Sequence, residues 1–163
     1  MLTEDMAKSV TVALVFCCLD YANSGLFGTS TANLHKIQRV QNTTAKIVLY
    51  DSVLPSAIAF HQLHWLPVKQ RIHYKIATLT YGTIQSRSSS YLSSLINYNN
   101  PSRPLRSSIN LLHIPVTTKV IGHKAFQFAA PTVLNSIPPN IRLFPSISSF
   151  KLSLKTHLFS LAG

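Results

Sequence analysis

Acidic side chains are scarce in this sequence. Four acids, Glu4, Asp5, Asp20 and Asp51, stand against fifteen Lys and Arg in 163 residues, and no acid follows Asp51. General acid/base pairs, glycosidase dyads and the metal-binding carboxylates of nucleotidyl transfer each need two or more acids at one site. No glycine-rich phosphate loop or nucleophile elbow is present either. We therefore predict that the chain is not an enzyme on its own, with no catalytic residue, no metal site and no cofactor.

Cysteines and long apolar runs are also few. Cys17 and Cys18 are adjacent in an apolar stretch, which argues against a disulfide framework or a zinc knuckle and predicts core residues in a reducing compartment. Residues 10–19 make up about half of a membrane span and follow acidic residues. We expect a buried helix there, and neither a signal peptide nor a membrane span. The resulting prediction is an intracellular protein, nuclear or cytoplasmic and not secreted.

Apolar residues and positive charge are abundant. With 46% hydrophobic residues the chain can bury enough apolar surface to fold, and its length suits one domain. The formal charge of +11 favours a polyanionic partner, either nucleic acid or anionic lipid. A basic surface that has no partner is the alternative.

Helical periodicity dominates the chain and predicts a mainly α protein. Thr3 followed by two acids indicates the start of a first helix, which runs to about residue 19. We expect a single helical domain over residues 1–163. Its predicted parts are two N-terminal helices in 1–50, a central helical segment in 55–97, a basic loop and small hairpin in 98–122, and a C-terminal helical segment in 123–163.

Three further helices have a predicted apolar face. On the helix at about 33–50 this face consists of Leu34, Ile37, Val40, Thr44, Ile47 and Val48. On the helix at about 67–84, which follows the core anchors Trp65 and Leu66, it consists of Val68, Ile72, Ile76 and Leu79. The last helix starts near Ser146 or Ser148, and its face consists of Ile147, Phe150, Leu154, Leu158 and Leu161.

Prolines and β-branched residues mark the remaining segments. Residues 109–123 are rich in β-branched side chains and predict a small hairpin, in which Pro115 confines the first half to an edge strand. Residues 123–136 predict a helix that Pro131 interrupts. The proline-rich stretch that follows is expected to be a connector.

Basic side chains gather beside the apolar faces and in one loop. Arg71 and Lys75 are one helical turn apart, so both can reach one phosphate backbone. The predicted phosphate-binding residues are Lys36, Arg39, Lys46, Arg71, Lys75, Arg103, Arg106, Lys151 and Lys155. Four tyrosines either stack on bases or pack in the core, namely Tyr74, Tyr81, Tyr91 and Tyr98.

Three histidines form the nearest approach to a metal motif. His61 and His64 make an H-x-x-H step, and His73 follows. Metal sites need three or four ligands, with acids or thiols in support, and none is near in the sequence. We interpret these residues as surface or hydrogen-bonded histidines.

An ordered series of segments resembles one known pattern. The segments are "LDYANSGLFG", "KIQRVQNTTAKIV", "QLHWLPVKQRIHYKIATLTYGTI", "PSRPLRSS", "GHKAFQFAAPTVLNSIPPNIR" and "FKLSLKTHLFSLA". Together they resemble the C-terminal, post-palm region of reverse transcriptases from non-LTR retrotransposons of the chicken-repeat, L2 and jockey-like type.

The resemblance implies a thumb-like region that helps to clamp primer and template while RNA is copied into DNA. In that family the polymerase carboxylates and the endonuclease lie upstream of this region. The matching basic positions are Arg39, Arg71, Lys75, Arg103 and Arg106. The matching apolar positions, interpreted as fold anchors, are Trp65, Pro67 and Phe126.

The sequence therefore predicts a truncated reverse-transcriptase C-terminal region that binds RNA or RNA–DNA hybrid through the phosphate backbone, without sequence specificity and without polymerase activity of its own. Three alternatives stay open. The chain could be a decayed open reading frame with no independent function, since the family commonly has acids where His73 and Asn140 stand. It could be an accessory part of an RNA-directed DNA polymerase whose palm is supplied in trans. It could also lie on anionic membrane surfaces.

Overall fold

The computed structural model describes residues 3–21, 23–86, 89–100, 111–119 and 122–162. These residues form a mainly α structure, which confirms the predicted fold class. The first half contains α1 (Glu4–Thr11), a π-helical turn (Val12–Phe16), α2 (Cys17–Asp20), a 3-10 turn (Asn23–Leu26), α3 (Thr31–Val48) and α4 (Ser56–Leu63). The second half contains α5 (Val68–Ser86), α6 (Ser90–Ser94), a 3-10 turn (Gly122–Lys124), α7 (Phe126–Ser136), α8 (Pro139–Arg142) and α9 (Ile147–Ser160).

Two compact units divide the chain. The N-terminal unit comprises Met1–Ile72 and Leu158–Gly163, and the second, which we call the basic unit, comprises His73–His157. Arg103 and Arg106 lie outside the described residues. The prediction of one domain over residues 1–163 stays a prediction.

Residues 4–20, which comprise α1, the π-helical turn and α2, form a first helical stretch that packs on one side only. Its start is as predicted, because the Thr3 hydroxyl accepts a hydrogen bond from the Met6 N–H at 3.4 Å. The expected burial of residues 10–19 is wrong. Thr11 and Phe16 are buried while Val10 and Leu14 are exposed, and so are Cys17 and Cys18, which the sequence placed in the core. Only the side of the helix that faces the core of the N-terminal unit is buried. The residues on that side recur about every four positions.

The buried face of α3 differs from the predicted face. Gln41, Ala45 and Val48 are buried, whereas Val40 and Ile47 are 51% and 63% exposed. A glutamine can replace an apolar residue in the core when its amide is hydrogen-bonded. The helix is therefore rotated away from the orientation that apolar spacing alone predicts.

Two glutamines of α3 hold the chain on both sides of Pro67. The Gln41 Nε2 amide donates to the Leu66 carbonyl at 2.9 Å. The Gln38 Oε1 atom accepts from the Val68 N–H at 2.9 Å, and the Gln38 Nε2 group donates to Gln41 Oε1 at 3.2 Å. These bonds fix the junction at which α5 begins.

The core of the N-terminal unit lies beside this junction. Trp65 and Leu66 are buried, as predicted. Trp65 belongs to a cluster in which every other member is also apolar, namely Phe16, Ala45, Val48, Ala59, Phe60 and Leu63. α1, α3 and α4 all contribute to or pack against this cluster.

In the basic unit, the start of α9 packs against the second half of α5. The rings of Tyr81 and Phe150 stack with centroids 4.1 Å apart and planes 8° apart. A Cβ at Gly82 would lie 3.4 Å from the Ile147 Cδ1 atom, an ordinary van der Waals contact, so the two helices are close at this point. Phe150 and Leu154 of α9 are buried as predicted, but Ile147 and Leu161 are exposed, as is Leu79 of α5.

The predicted hairpin does not form within residues 111–119. Instead, Leu112 pairs with Tyr98 in an isolated antiparallel bridge. The Asn135 side chain donates to the Leu112 carbonyl at 2.8 Å and accepts from its N–H at 2.9 Å. One amide therefore supplies the hydrogen bonds that a second neighbouring strand would otherwise provide.

In the last third of the chain, the prolines affect the helices differently from the prediction. α7 continues through Pro131, the sixth of its eleven residues, with the loss of the one backbone hydrogen bond that a proline cannot donate. The expected connector contains the short helix α8, which begins at Pro139. Ser146 caps α9 by accepting from the Ser149 N–H at 3.2 Å, which confirms the predicted start.

Replacing the amide of Asn135 tests this arrangement. We expect Asn135→Ala to lower the free energy of unfolding by about 2–3 kcal/mol, because it leaves two polar groups of the buried Leu112 without partners. Urea denaturation followed by circular dichroism measures the change. The control is Ser136→Ala, which removes only a local bond to the Val133 carbonyl. Equal stability of the two variants would contradict this role of Asn135.

Candidate nucleic-acid interface

The three predicted cations of α3 have different surroundings. Lys36 and Arg39, three residues apart and therefore on neighbouring positions of the helix surface, are exposed. Lys46 is half-buried, and its Nζ group donates to the Ser52 carbonyl at 2.9 Å. Lys46 thus helps to hold the turn after α3, whereas Lys36 and Arg39 are directed to solvent.

Arg71 is part of the fold of the N-terminal unit. Its Nε group donates to Asp20 Oδ1 at 3.0 Å and its Nη2 group to Asp20 Oδ2. The guanidinium carbon lies 4.2 Å from the centroid of the Phe16 ring, which in turn meets Trp65 edge-on at 4.4 Å. The Arg71 side chain is 17% exposed. A guanidinium with a bidentate carboxylate on one side and a ring beneath it has little surface left for phosphate.

The remaining predicted cations of the described residues belong to the basic unit. Lys75 on α5 and Lys151 and Lys155 on α9 are exposed. Lys151 and Lys155 are four residues apart, so both lie on one side of α9, beside the face that buries Phe150 and Leu154. This pair is the best-defined group of surface cations that the structure places in the basic unit.

Several basic residues were not predicted as site residues. Lys69, Lys119 and Lys124 are exposed. Lys69 flanks the apolar face of α5 on the side away from Arg71 and Lys75, and Lys119 and Lys124 lie outside the predicted apolar faces. A count of charges alone would have included all three. Arg142 lines a cavity of about 320 Å³ in the basic unit, and burial lowers the pKa of its guanidinium.

The acids are distributed unevenly between the two units. Residues 73–157 contain no Asp or Glu. In the N-terminal unit, Asp20 binds Arg71, and Asp51 Oδ1 accepts from the N–H groups of Val53 and Leu54 at 2.9 and 3.0 Å. Glu4 and Asp5 occupy the first turn of α1. The titratable side chains of the basic unit are therefore cationic or neutral at pH 7, and the unit attracts anions.

The tyrosines divide into packed and exposed residues. Tyr81 is 4% exposed, and it donates its hydroxyl hydrogen to the Phe144 carbonyl, so it packs in the core. Tyr74 is half-buried, and burial raises the pKa of its hydroxyl. Tyr91 and Tyr98 are exposed. Of the four, these two have ring surface available for a base.

The two histidines of the H-x-x-H step lie at the end of α4. His64 ends α4 in the left-handed conformation, with φ 54°, and its ring centroid lies 6.4 Å from that of His61. In the part of the chain that the structure describes, no group of three or more His, Cys, Asp or Glu residues could hold a metal ion.

None of the described helices is both long enough and apolar enough to cross a membrane.

Comparison of the chain with protein-family models, with curated proteins and with solved structures finds no match.

Truncating Arg71 separates a role in the fold from a role in binding. We expect Arg71→Ala to lower the free energy of unfolding by roughly 1–3 kcal/mol, since it leaves Asp20 without its bidentate partner and Phe16 uncovered. Arg71→Lys should recover only part of the loss, because an ammonium cannot bind both carboxylate oxygens in the same way.

The matched control is Lys75→Ala, one turn further along α5 and exposed. Its expected effect on stability is within about 0.5 kcal/mol. Thermal or urea unfolding measures all three variants. An Arg71→Ala variant as stable as Lys75→Ala would contradict the structural role.

Proposed function

We propose that the chain is a basic nucleic-acid-binding module that holds RNA or RNA–DNA hybrid through the phosphate backbone, without sequence specificity. The observation that carries this proposal is the charge of the basic unit, which has exposed lysines and no carboxylate side chain in residues 73–157. Lysines in such a field neutralise phosphates and release counterions on binding. Base contacts are not needed for affinity of this kind.

The proposed binding surface includes α9 of the basic unit. Lys151 and Lys155 are exposed on this helix, and the neighbouring face of the helix is held in the core by the buried Phe150 and Leu154. A rigid helix holds the two ammonium groups about one turn apart, which suits contact with a phosphate backbone. Lys75 of α5 supplies a further exposed cation. Arg71 has no part in this proposal, because it binds Asp20.

The resemblance to the post-palm region of non-LTR reverse transcriptases gives the proposal a biological setting. We propose that the chain corresponds to the thumb-like part of such a protein and does not polymerise by itself. The basic positions that match the family and lie among the described residues are Arg39, Arg71 and Lys75. Of these, Arg39 and Lys75 are exposed.

A second candidate is an accessory part of an RNA-directed DNA polymerase whose palm comes from another chain. The observation that favours it is a row of exposed apolar side chains, four residues apart, on the first helical stretch: Met6, Val10 and Leu14. Rows of this kind often mark a surface that another protein covers. Aggregation of the isolated chain, measured by light scattering, would instead favour a relic with no independent function.

Salt dependence of binding tests the proposed function. We expect saturable binding of the monomeric chain to a labelled RNA–DNA hybrid, with affinity falling steeply as salt rises. Lys151→Gln/Lys155→Gln should reduce the slope of log K against log salt by about 1.4–1.8, at roughly 0.7–0.9 per phosphate contact.

The matched control is Lys36→Gln/Arg39→Gln, which removes the same charge from an exposed helical face of the N-terminal unit. We expect a smaller change in slope, because that unit contains all four acids. An equal or larger effect of the control would contradict the assignment to the basic unit. A folded monomer that does not bind at low salt would overturn the proposed function.

A further inference from the structure

Tyr98 is an exposed aromatic residue whose backbone is held on both sides. The His113 N–H donates to the Asn97 carbonyl at 2.7 Å, and the Asn99 N–H donates to the Leu111 carbonyl at 2.8 Å. These two bonds enclose the bridge between Tyr98 and Leu112. In an antiparallel pair of this type the two opposite side chains are close together on one side. Since Leu112 is 2% exposed, the backbone at Tyr98 is anchored at the core while Tyr98 itself is 58% exposed.

A side chain of α7 also helps to hold the backbone at Tyr98. Asn135 binds both polar backbone groups of Leu112, at 2.9 and 2.8 Å, so the bridge is fixed from the side opposite Tyr98. A tyrosine on a fixed backbone has only its two side-chain torsions left to order when a ligand stacks on it. An exposed ring on a fixed backbone is what a stacking platform requires.

Two cavities adjoin this ring. One, of about 290 Å³, is lined by Thr83, Ile84, Ser93, Ile96 and Tyr98. The other, of about 320 Å³, has Tyr98, Arg142, Gln85 and Phe144 in its wall. Their volumes lie at the lower end of small-molecule pockets, which span roughly 300–1,000 Å³, so each suits a single ring system. Because Ile84 and Tyr98 line both cavities, the tyrosine separates them.

The wall of the larger cavity combines apolar surface with a few polar groups. Leu112, Leu134 and Phe144 supply the apolar part. The Gln85 amide, which donates to the Tyr81 hydroxyl at 2.9 Å, and the Arg142 guanidinium supply the polar part. Single-stranded nucleic acid is recognised by stacking of a splayed base on an aromatic face and by hydrogen bonds to its edge. Amide and guanidinium groups provide the bonds, and the positive charge of the unit attracts the strand.

We propose that Tyr98 is a stacking platform for one unstacked nucleobase, which enters the cavity lined by Gln85 and Arg142. This proposal rests on the proposed nucleic-acid binding and adds to it a preference for single strands with exposed bases. The lysines of the basic unit hold the backbone, and Tyr98 holds a base.

Matched strands with and without bases test the proposal. The two ligands are a short single strand of thymidines and a strand of equal length with abasic sites, so that the phosphate charge is the same. We expect the wild-type chain to bind the thymidine strand about tenfold more tightly, as expected for one stacked base. Fluorescence anisotropy at low salt measures both affinities.

Variants assign the effect to one residue. Tyr98→Leu should abolish the difference between the two strands, and Tyr98→Phe should keep it. Tyr91→Leu is the control, because Tyr91 is exposed in the same unit but lines neither cavity. Circular dichroism confirms that each variant is folded.

The possible negative results of this experiment have different meanings. Equal affinity of the wild-type chain for both strands overturns the stacking proposal and leaves charge-driven binding intact. A preference for bases that survives in Tyr98→Leu also overturns the assignment. If neither strand binds, the stacking proposal is overturned. Binding of the RNA–DNA hybrid under the same conditions then decides whether the proposed nucleic-acid function fails as well.

Discussion

The contact of Arg71 with Asp20 and Phe16 joins the first helical stretch to the beginning of α5. Asp20 receives two hydrogen bonds from the guanidinium, and the ring of Phe16 lies beneath it and against Trp65. The inner face of the first helical stretch also packs on the core of the N-terminal unit through Ala7, Val15 and Leu19, so charged and apolar contacts together position it. Removing one partner of a partly buried charge pair leaves the other without its hydrogen bonds and lowers stability. The core around Trp65 is therefore built on a charged group as well as on apolar burial.

This use of Arg71 divides the basic residues by role. Arg71 and Lys46 bind groups of the protein itself, a carboxylate and a backbone carbonyl. Lys36, Arg39, Lys75 and Lys151 are directed to solvent. Two of the acids also bind groups of the protein itself, since Asp20 and Asp51 both bind groups of the N-terminal unit. The basic unit has no acid with which to offset its lysines, which is why its surface suits a polyanion better than that of its neighbour.

The sequence predicted features that depend on near neighbours and missed those that depend on distant partners. The mainly α class, the caps at Thr3 and Ser146 and the burial of Trp65 follow from local spacing and residue type, and all were confirmed. The rotation of α3 depends on Gln41, whose carbonyl partner is 25 residues away. Arg71 finds Asp20 at a separation of 51 residues, and Leu112 finds Asn135 at 23. No periodic pattern encodes such pairs, so exposed and structural cations could not be separated from sequence alone.

The most direct test of this division of roles is the salt dependence of RNA binding by the double variant Asp20→Asn/Arg71→Gln. The two changes remove one negative and one positive charge, so the net charge stays at +11. If Arg71 serves the fold and the exposed lysines serve the ligand, the folded variant binds with the same slope of log K against log salt as the wild-type chain. A slope lower by about 0.7–0.9, the value of one phosphate contact, would place Arg71 on the nucleic acid and contradict the account.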